Sequence, residues 1–178
     1  MKLVILDRDG VINYDSSQFI KSPAEWRPIP GSLEAIARLN QAGYRVVVAT
    51  NQSGLARGLF DMDTLNAIHD KMHRAVHAAG GRIDAIFYCP HSAEMGCRCR
   101  KPQTGMFERI AGCFNIDLPG TPSVGDSLRD LQAAAAVKAL PLLVMTGKGT
   151  KTQADGGLPE GTLIFPDLAA ATDFIIGS

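Results

Sequence analysis

The sequence predicts an α/β protein in which a mostly parallel sheet carries helices on both faces. Short apolar runs rich in β-branched residues, such as KLVIL (2–6) and YRVVVAT (44–50), have the character of buried strands. Segments with apolar residues at helical spacing lie between these runs. Regular alternation of strands and helices favours parallel pairing, because the crossover connections place helices on both faces of the sheet.

Each element follows from periodicity and from start and stop signals. In the first helix Leu33, Ile36, Ala37 and Leu39 recur at helical spacing, and Gly43 provides the stop. The second helix begins with acidic residues, and a later one is rich in alanine. Strands are expected at 2–6, 44–50, 83–89, 121–126, 141–146 and 162–165, and helices at 31–42, 61–79, 104–114, 127–137 and 167–176.

Length and composition indicate one globular domain spanning 1–178. Hydrophobic residues make up 46% of the chain, and 18 basic residues balance 18 acidic ones. This neutral charge argues against a large nucleic-acid footprint, since such proteins are usually basic. No apolar run approaches the ~20 residues of a membrane span, and MKLVILD is too short for a signal peptide. We therefore expect a cytoplasmic monomer with reduced thiols, no membrane contact and no nucleic-acid partner.

Acidic residues follow two of the predicted strands. Asp7 and Asp9 face the same way in an extended segment, and Gly10 permits a sharp turn after them. Two neighbouring carboxylates suit Mg²⁺, and Asp126 at another strand end could complete the site. Taken singly these are weak signals, because D-x-D-G also occurs in ordinary turns and Asp126 could simply cap the next helix.

The same strand ends hold the groups needed for phosphate-ester chemistry. Asp7 could attack phosphorus as a nucleophile, and Asp9 could protonate the leaving alcohol and later activate water. Thr50 and Lys101 could then hold the phosphoryl oxygens, although Thr50 alone would be an unremarkable strand-end hydroxyl. Their order at successive strand ends favours a catalytic set.

A cysteine-rich loop precedes Arg100 and Lys101. Its C-x-H-x5-C-x-C pattern offers four ligands for a closed tetrahedral Zn²⁺ site: Cys89, His91, Cys97 and Cys99. A disulfide, or incidental thiols beside a surface histidine, are the alternatives. A structural zinc ion would fix the loop that carries Lys101. The remaining Cys113 is expected to be a core residue.

The stretches ILDRDG, VVATNQSGLARG, CRKP and VGDSLRDLQAA resemble the four motifs of the haloacid dehalogenase-like (HAD) phosphatases. The resemblance runs from residue 3 to about residue 136 and implies a three-layer, Rossmann-like HAD core. It also implies that Asp7, the backbone carbonyl of Asp9 and Asp126 hold Mg²⁺, with Asp130 close behind. Val11 departs from the pattern, because many relatives have threonine there.

The zinc loop narrows the resemblance to a branch that contains heptose bisphosphate and histidinol-phosphate phosphatases. The stretch NQSGLARG is similar to the corresponding stretch of the heptose enzymes. The five-residue spacer between His91 and Cys97 is nearer the pattern of the histidinol enzymes. The chain has no room for a large cap domain, so 13–30, 54–60 and the zinc loop would line the substrate. The implied activity is removal of the 7-phosphate from a heptose 1,7-bisphosphate through an aspartyl-phosphate, for ADP- or GDP-heptose and lipopolysaccharide core synthesis.

Three alternative functions remain at this point. They are histidinol-phosphate hydrolysis, the phosphatase activity of polynucleotide kinase-phosphatases, and a zinc-stabilised binding module without catalysis.

The resemblance also implies a set of substrate contacts: Asp15, Ser16, Ser17, Gln18, Asn51, Gln52, Ser53, Arg100 and Ser127. Arg57 could reach a second phosphate, although a solvent-exposed role is an alternative, and Ser16 and Ser17 also suit an ordinary polar turn.

His69, His73 and His77 recur every four residues without a partnering acid, and we expect them on a solvated or half-buried helix face.

Overall fold

A computed structural model describes residues 1–178 as one six-stranded sheet with helices on both faces. Every strand pair is parallel, and the order across the sheet is β3-β2-β1-β4-β5-β6. The strands are β1 (Lys2–Leu6), β2 (Tyr44–Asn51), β3 (Ala85–Cys89), β4 (Pro122–Gly125), β5 (Leu140–Val144) and β6 (Leu163–Phe165). The helices are α1 (Ser32–Gln41), α2 (Met62–Ala78), α3 (Gly105–Phe114), α4 (Leu128–Ala136), α5 (Gly149–Asp155) and α6 (Leu168–Gly177).

The strand order reverses between β1 and β4. From β1 the chain winds outward to β2 and β3, then returns to pair β4 on the other side of β1, with Ile5 opposite Ser123. In open parallel sheets such a reversal opens a crevice at the carboxyl ends of the strands, where ligands bind. The residues that follow β1 and β4 therefore lie at this crevice.

Two apolar clusters cover the two faces of the sheet. On one face α1, α2 and α6 contribute Ile36, Met72 and Ile175 to a cluster of 21 buried residues. On the other face α3 and α4 contribute Phe107 and Ala133 to a cluster of 13. The three-layer architecture expected from the sequence is confirmed.

The connection from β1 to α1 contains a single short 3-10 turn, Pro23–Glu25, and no separate cap domain. Ile12, Ile20 and Trp26 are buried in the core and fasten this segment to the sheet. It therefore lies across the carboxyl edge instead of projecting from it. None of the helices combines the length and apolar character that crossing a bilayer requires.

The predicted elements are present, but three local expectations are wrong. Helix α5 was not predicted, because its sequence GTKTQAD has no apolar periodicity. Cys113 is exposed, because Met106, Phe107 and Ile110 form the buried stripe of α3. His69 is buried, whereas His73 and His77 are exposed as expected.

Candidate active site

A cavity of about 260 Å³ opens at the carboxyl ends of β1, β2 and β4. Its wall is almost entirely polar, with Phe19 and Ile20 as the apolar exceptions. Gln18 and Ser127 are not among its lining residues, although the sequence predicted both as substrate contacts. The predicted residues that do line it are Asp7, Asp9, Asp15, Ser16, Ser17, Thr50, Asn51, Gln52, Ser53, Arg57, Arg100, Lys101 and Asp126.

Three carboxylates meet at the floor of the cavity. Asp7, Asp126 and Asp130 each offer an oxygen, and these oxygens all lie within 4.8 Å of one another. Burial and the neighbouring Asp130 carboxylate raise the pKa of Asp7 to about 7. Burial, Asp7 and Asp130 raise the pKa of Asp126 to about 9. Both pKa values rise mainly because burial disfavours the charged carboxylate, and the neighbouring carboxylates add to the effect.

One buried cation, Lys101, lies within this acidic floor. Its Nζ is 2.7 Å from Asp130 Oδ1, 3.1 Å from Asp7 Oδ1 and 2.7 Å from the carbonyl oxygen of Ala49. Burial would lower the pKa of Lys101, but the two carboxylates raise it, so the ammonium stays charged. Lys101 also holds the pKa of Asp130 below its usual value despite burial. This pairing neutralises Asp130 and leaves Asp7 and Asp126 in excess.

The excess charge and the oxygen donors fit Mg²⁺. A hard divalent cation favours carboxylates and carbonyl oxygens, and it usually takes one or two carboxylates together with substrate phosphate. Asp126 is further restricted by backbone, because a side-chain carbon on Gly10 (φ +85°) would come within 2.0 Å of Asp126 Oδ2. The N–H of Lys148 also donates to that oxygen at 2.8 Å. The polypeptide thus fixes one carboxylate of the set in place.

A separate hydrogen-bond network holds Asp9. The Arg8 side chain and Asn13 Nδ2 donate to Oδ1, while Gln52 Nε2 donates to Oδ2 at 3.1 Å. Burial alone would raise the pKa of Asp9, but the Arg8 charge and these hydrogen bonds hold it below its usual value. Gln52 also donates to Thr50 Oγ1 at 2.9 Å, so it links two residues of the predicted catalytic set.

Asn51 clamps the backbone that carries Lys101. Its Oδ1 accepts from the Lys101 N–H at 3.0 Å, and its Nδ2 donates to the Lys101 carbonyl at 3.1 Å. Both polar atoms of the Asn51 side chain are therefore engaged by the chain itself. The structure gives this residue a positioning role that the sequence, which predicted a substrate contact, did not reveal.

The cysteine-rich loop brings its four predicted ligands together. Cys89 Sγ lies 3.0 Å from Cys99 Sγ and 3.6 Å from Cys97 Sγ, and His91 Nδ1 lies 3.2 Å from Cys99 Sγ. A tetrahedron with Zn–S bonds of ~2.3 Å has edges of about 3.8 Å, so the four groups need only small shifts to hold the ion. None of the cysteines forms a disulfide. The Arg100 N–H points at Cys97 Sγ, 3.4 Å away, which couples this cluster to the residue before Lys101.

Sequence reasoning missed several residues of the cavity wall. Lys148 follows β5, and its Nζ lies 3.6 Å from Asp15 Oδ2. Arg129 lies in the first turn of α4 and also lines the cavity. Asp130, which the resemblance placed behind the Mg²⁺ ligands, lines the cavity itself. Sites in parallel sheets lie at the carboxyl ends of the strands, and this rule predicted the positions of Asp7 and Asp126. The MTGK stretch also follows a strand, β5, so the same rule could have indicated Lys148. Ser127 donates from its backbone N–H and its Oγ to Asp130 Oδ2 instead of facing the cavity.

Family models match two parts of the chain. A HAD-hydrolase-like model matches residues 98–171. A model of the polynucleotide kinase 3 phosphatases matches residues 2–127.

Full-length relatives and solved structures are similar over almost the whole chain. A D-glycero-β-D-manno-heptose-1,7-bisphosphate 7-phosphatase of Bordetella bronchiseptica is 64% identical over 99% of this chain and 98% of its own length. The enzyme of the same name from Pseudomonas putida is 56% identical over 96% of this chain and 97% of its own. A crystal structure of a D,D-heptose 1,7-bisphosphate phosphatase from B. bronchiseptica, complexed with magnesium and phosphate, has a TM-score of 0.98 at 63% identity and covers 99% of both chains.

The acidic floor predicts that magnesium stabilises this protein more at high pH than at low pH. Because the folded-state pKa values of Asp7 and Asp126 are raised, the folded chain binds more protons than the unfolded chain between their ordinary and raised values. Metal-free stability should therefore fall as pH rises from about 5 to about 9. The rise in Tm on adding Mg²⁺ should be larger at about pH 8.5 than at about pH 6, because protons compete with the cation.

Thermal unfolding with and without Mg²⁺ at both pH values measures this effect. Asp126→Asn is the matched variant, because it removes one charge and should abolish most of the pH dependence of the shift. Equal Tm shifts at both pH values in the unsubstituted protein would contradict the prediction.

Cys97→Ser is expected to lower phosphatase activity by about 10- to 100-fold, the range typical for losing support around a metal site. The loop would loosen and misplace Lys101, while the carboxylates that hold Mg²⁺ stay where they are. Steady-state kinetics should be combined with zinc content and a Mg²⁺ titration. Cys113→Ser, at an exposed cysteine outside the cluster, is the control and should change nothing. A folded, zinc-free Cys97→Ser protein with full activity would refute the idea.

Proposed function

The chain belongs to the HAD-like phosphatases, within the family of the D-glycero-β-D-manno-heptose-1,7-bisphosphate 7-phosphatases, and we propose that it hydrolyses the 7-phosphate of a heptose 1,7-bisphosphate. The observation that carries this proposal is the cavity itself. At its floor lie Asp7 and Lys101, and its wall adds four more cations: Arg57, Arg100, Arg129 and Lys148. One phosphate can react at the floor while a second is bound by the wall.

Asp7 is the proposed nucleophile. Its carboxylate forms a bond to phosphorus while the ester P–O bond breaks, giving an aspartyl-phosphate and a sugar alkoxide. Asp9 supplies the proton that converts the departing alkoxide to an alcohol. In the second half Asp9 takes a proton from water, the water oxygen attacks phosphorus, and the Asp7–phosphate bond breaks to release inorganic phosphate.

The low pKa of Asp9 in the free site suits the base half of this cycle. In the acid half Asp9 must carry a proton. The negative charge of the incoming phosphate raises the pKa of Asp9 and so favours its protonated form. Thr50 Oγ and Lys101 Nζ are proposed to hold the phosphoryl oxygens. Lys101 can turn from Asp7 towards the phosphate without losing Asp130, its nearer carboxylate at 2.7 Å.

Asp7, Asp126 and the backbone carbonyl of Asp9 are the proposed ligands of Mg²⁺. When bound, the ion neutralises the excess carboxylate charge and the charge of the phosphoryl group. Asp130 forms an ion pair with Lys101 and accepts hydrogen bonds from the N–H groups of Asp126 and Ser127. The Cys/His cluster suits a structural Zn²⁺, because its four side chains fill all four positions of a tetrahedral site.

We further propose that the protein works in the cytoplasm on a small phosphosugar. The Cys/His cluster needs reduced thiols to hold zinc, and a cytoplasmic glutathione pool maintains them. The expectations of a single domain and of a monomer stay predictions.

Asp7→Asn should abolish turnover while the protein stays folded. The amide is a poor nucleophile, so a loss of at least about 1000-fold in kcat is expected. Phosphate release measures the loss, and a thermal unfolding curve checks the fold. Asp63→Asn, an exposed acidic residue at the start of α2, is the control of equal charge change. Residual activity near that of the unsubstituted protein would rule out Asp7 as nucleophile.

Heptose 1,7-bisphosphate should be the preferred substrate among three candidates. Phosphate release with Mg²⁺ is compared for the bisphosphate, for histidinol phosphate and for a 3′-phosphorylated oligonucleotide, the last because of the family-model match over 2–127. We expect kcat/KM to favour the bisphosphate by at least about 100-fold, since two phosphates meet complementary charge. Arg57→Ala and Arg100→Ala should narrow that margin. An equal or higher kcat/KM on either competitor would overturn the substrate assignment but leave the chemistry of Asp7 in place.

A further inference from the structure

We propose that His69 is a positioning residue for the acid–base step, acting through Arg8 to fix the carboxylate of Asp9. The inference rests on the proposed function, since it assumes that Asp9 is the general acid and base. It concerns a residue on α2 that does not line the cavity and lies outside the four HAD-like motifs.

Arg8 is a fully buried guanidinium with a defined partner on each side. Its Nε and one terminal nitrogen lie 2.9 and 2.8 Å from Asp9 Oδ1. Its other terminal nitrogen lies 3.1 Å from His69 Nε2. A buried arginine has only donors and stays charged, so it needs acceptors at fixed places, and His69 provides the one opposite Asp9.

The protonation state of His69 follows from this contact. Arg8 can only donate, so Nε2 must accept, and the ring proton lies on Nδ1. Burial and the Arg8 charge lower the pKa of His69 to about 3, so the ring stays neutral at every working pH. The backbone of α2 is held by buried Leu65, Ile68 and Met72, which gives the ring a rigid base.

The consequence for Asp9 is a difference between its two oxygens. Oδ1 accepts hydrogen bonds from Arg8 Nε and Asn13 Nδ2, so both of its lone pairs are occupied, and a terminal Arg8 nitrogen 2.8 Å away adds an ion-pair contact. Oδ2 receives only Gln52 Nε2, at 3.1 Å. Oδ2 is therefore the oxygen that carries the transferred proton. The direction in which Oδ2 points depends on how rigidly Arg8 holds Oδ1.

Only the first histidine of the i, i+4 series takes part. His69 is buried and reaches Arg8, whereas His73, one turn later, is exposed. Both line an open crevice with Asn66, Asp70 and Tyr88, and Arg8 is not among the residues of that crevice. His73 therefore serves as a control at the same surface.

The test uses the full-length protein with Mg²⁺ and two esters that differ in leaving group. Heptose 1,7-bisphosphate has an alkoxide leaving group that needs a proton, and 4-nitrophenyl phosphate has a stable phenolate that does not. The value of kcat/KM reports the steps up to departure of the leaving group. His69→Leu, which removes the acceptor, should lower kcat/KM for the alkyl ester by about 10-fold or more and for the aryl ester by less than about 2-fold. His69→Gln, which keeps an acceptor, should restore most of the loss, and His73→Leu should leave both values unchanged.

Several results would overturn the proposal. An equal loss for both esters would mean general structural damage, and no loss, or no recovery in His69→Gln, would mean that the acceptor is irrelevant. If His69→Leu does not fold, His69→Asn replaces it, because its shorter amide withdraws the acceptor from Arg8 while it stays polar. An unsubstituted protein that hydrolyses neither ester would reject the proposed function as well, so the two failures are distinguishable.

Discussion

Three carboxylates and one ammonium share the buried edge between β1 and β4, and most of the site is arranged around that unequal charge. Lys101 neutralises Asp130, its nearer partner, while burial and the neighbouring carboxylates raise the pKa values of Asp7 and Asp126. Such an arrangement is costly to bury without a cation. The need to attract a cation and a phosphate explains why polar residues concentrate at this edge.

Lys101 can balance this charge only if its backbone is fixed from both sides. Asn51 at the end of β2 holds its N–H and its carbonyl, and the Cys/His cluster anchors the residue before it through the Arg100 N–H. The first support comes from the sheet and the second from a loop without regular structure. The cysteines that stand out in the sequence are thus connected, through the backbone of Arg100, to the position of one ammonium group.

The sequence alone was enough to predict the architecture and the floor of the cavity, for a common physical reason. Buried strands are read from apolar runs, and parallel strands deliver their last residues to one edge, so Asp7, Thr50 and Asp126 could be placed together without coordinates. Helix α5 and its neighbour Lys148 were missed because a short polar helix has no periodic signal. His69 was misread because the burial of one residue in a series of three depends on tertiary packing, here on the position of Arg8. Asn51 holds the Lys101 backbone and Ser127 donates to Asp130, although the sequence predicted both as substrate contacts. These roles likewise depend on which atoms the fold brings within hydrogen-bond range.

The pairing of β1 with β4 has a consequence for how the chain matures. Ile5 lies opposite Ser123, so the two halves of the acidic floor are separated by more than half of the sequence. A chain that has been synthesised only as far as β3 holds Asp7 and Asp9 but neither Asp126 nor Asp130. Contacts of such long range form late, because the loop between them must close first. A ribosome-bound fragment that ends before β4 would therefore lack tight magnesium binding, so metal retention is a read-out of completed folding.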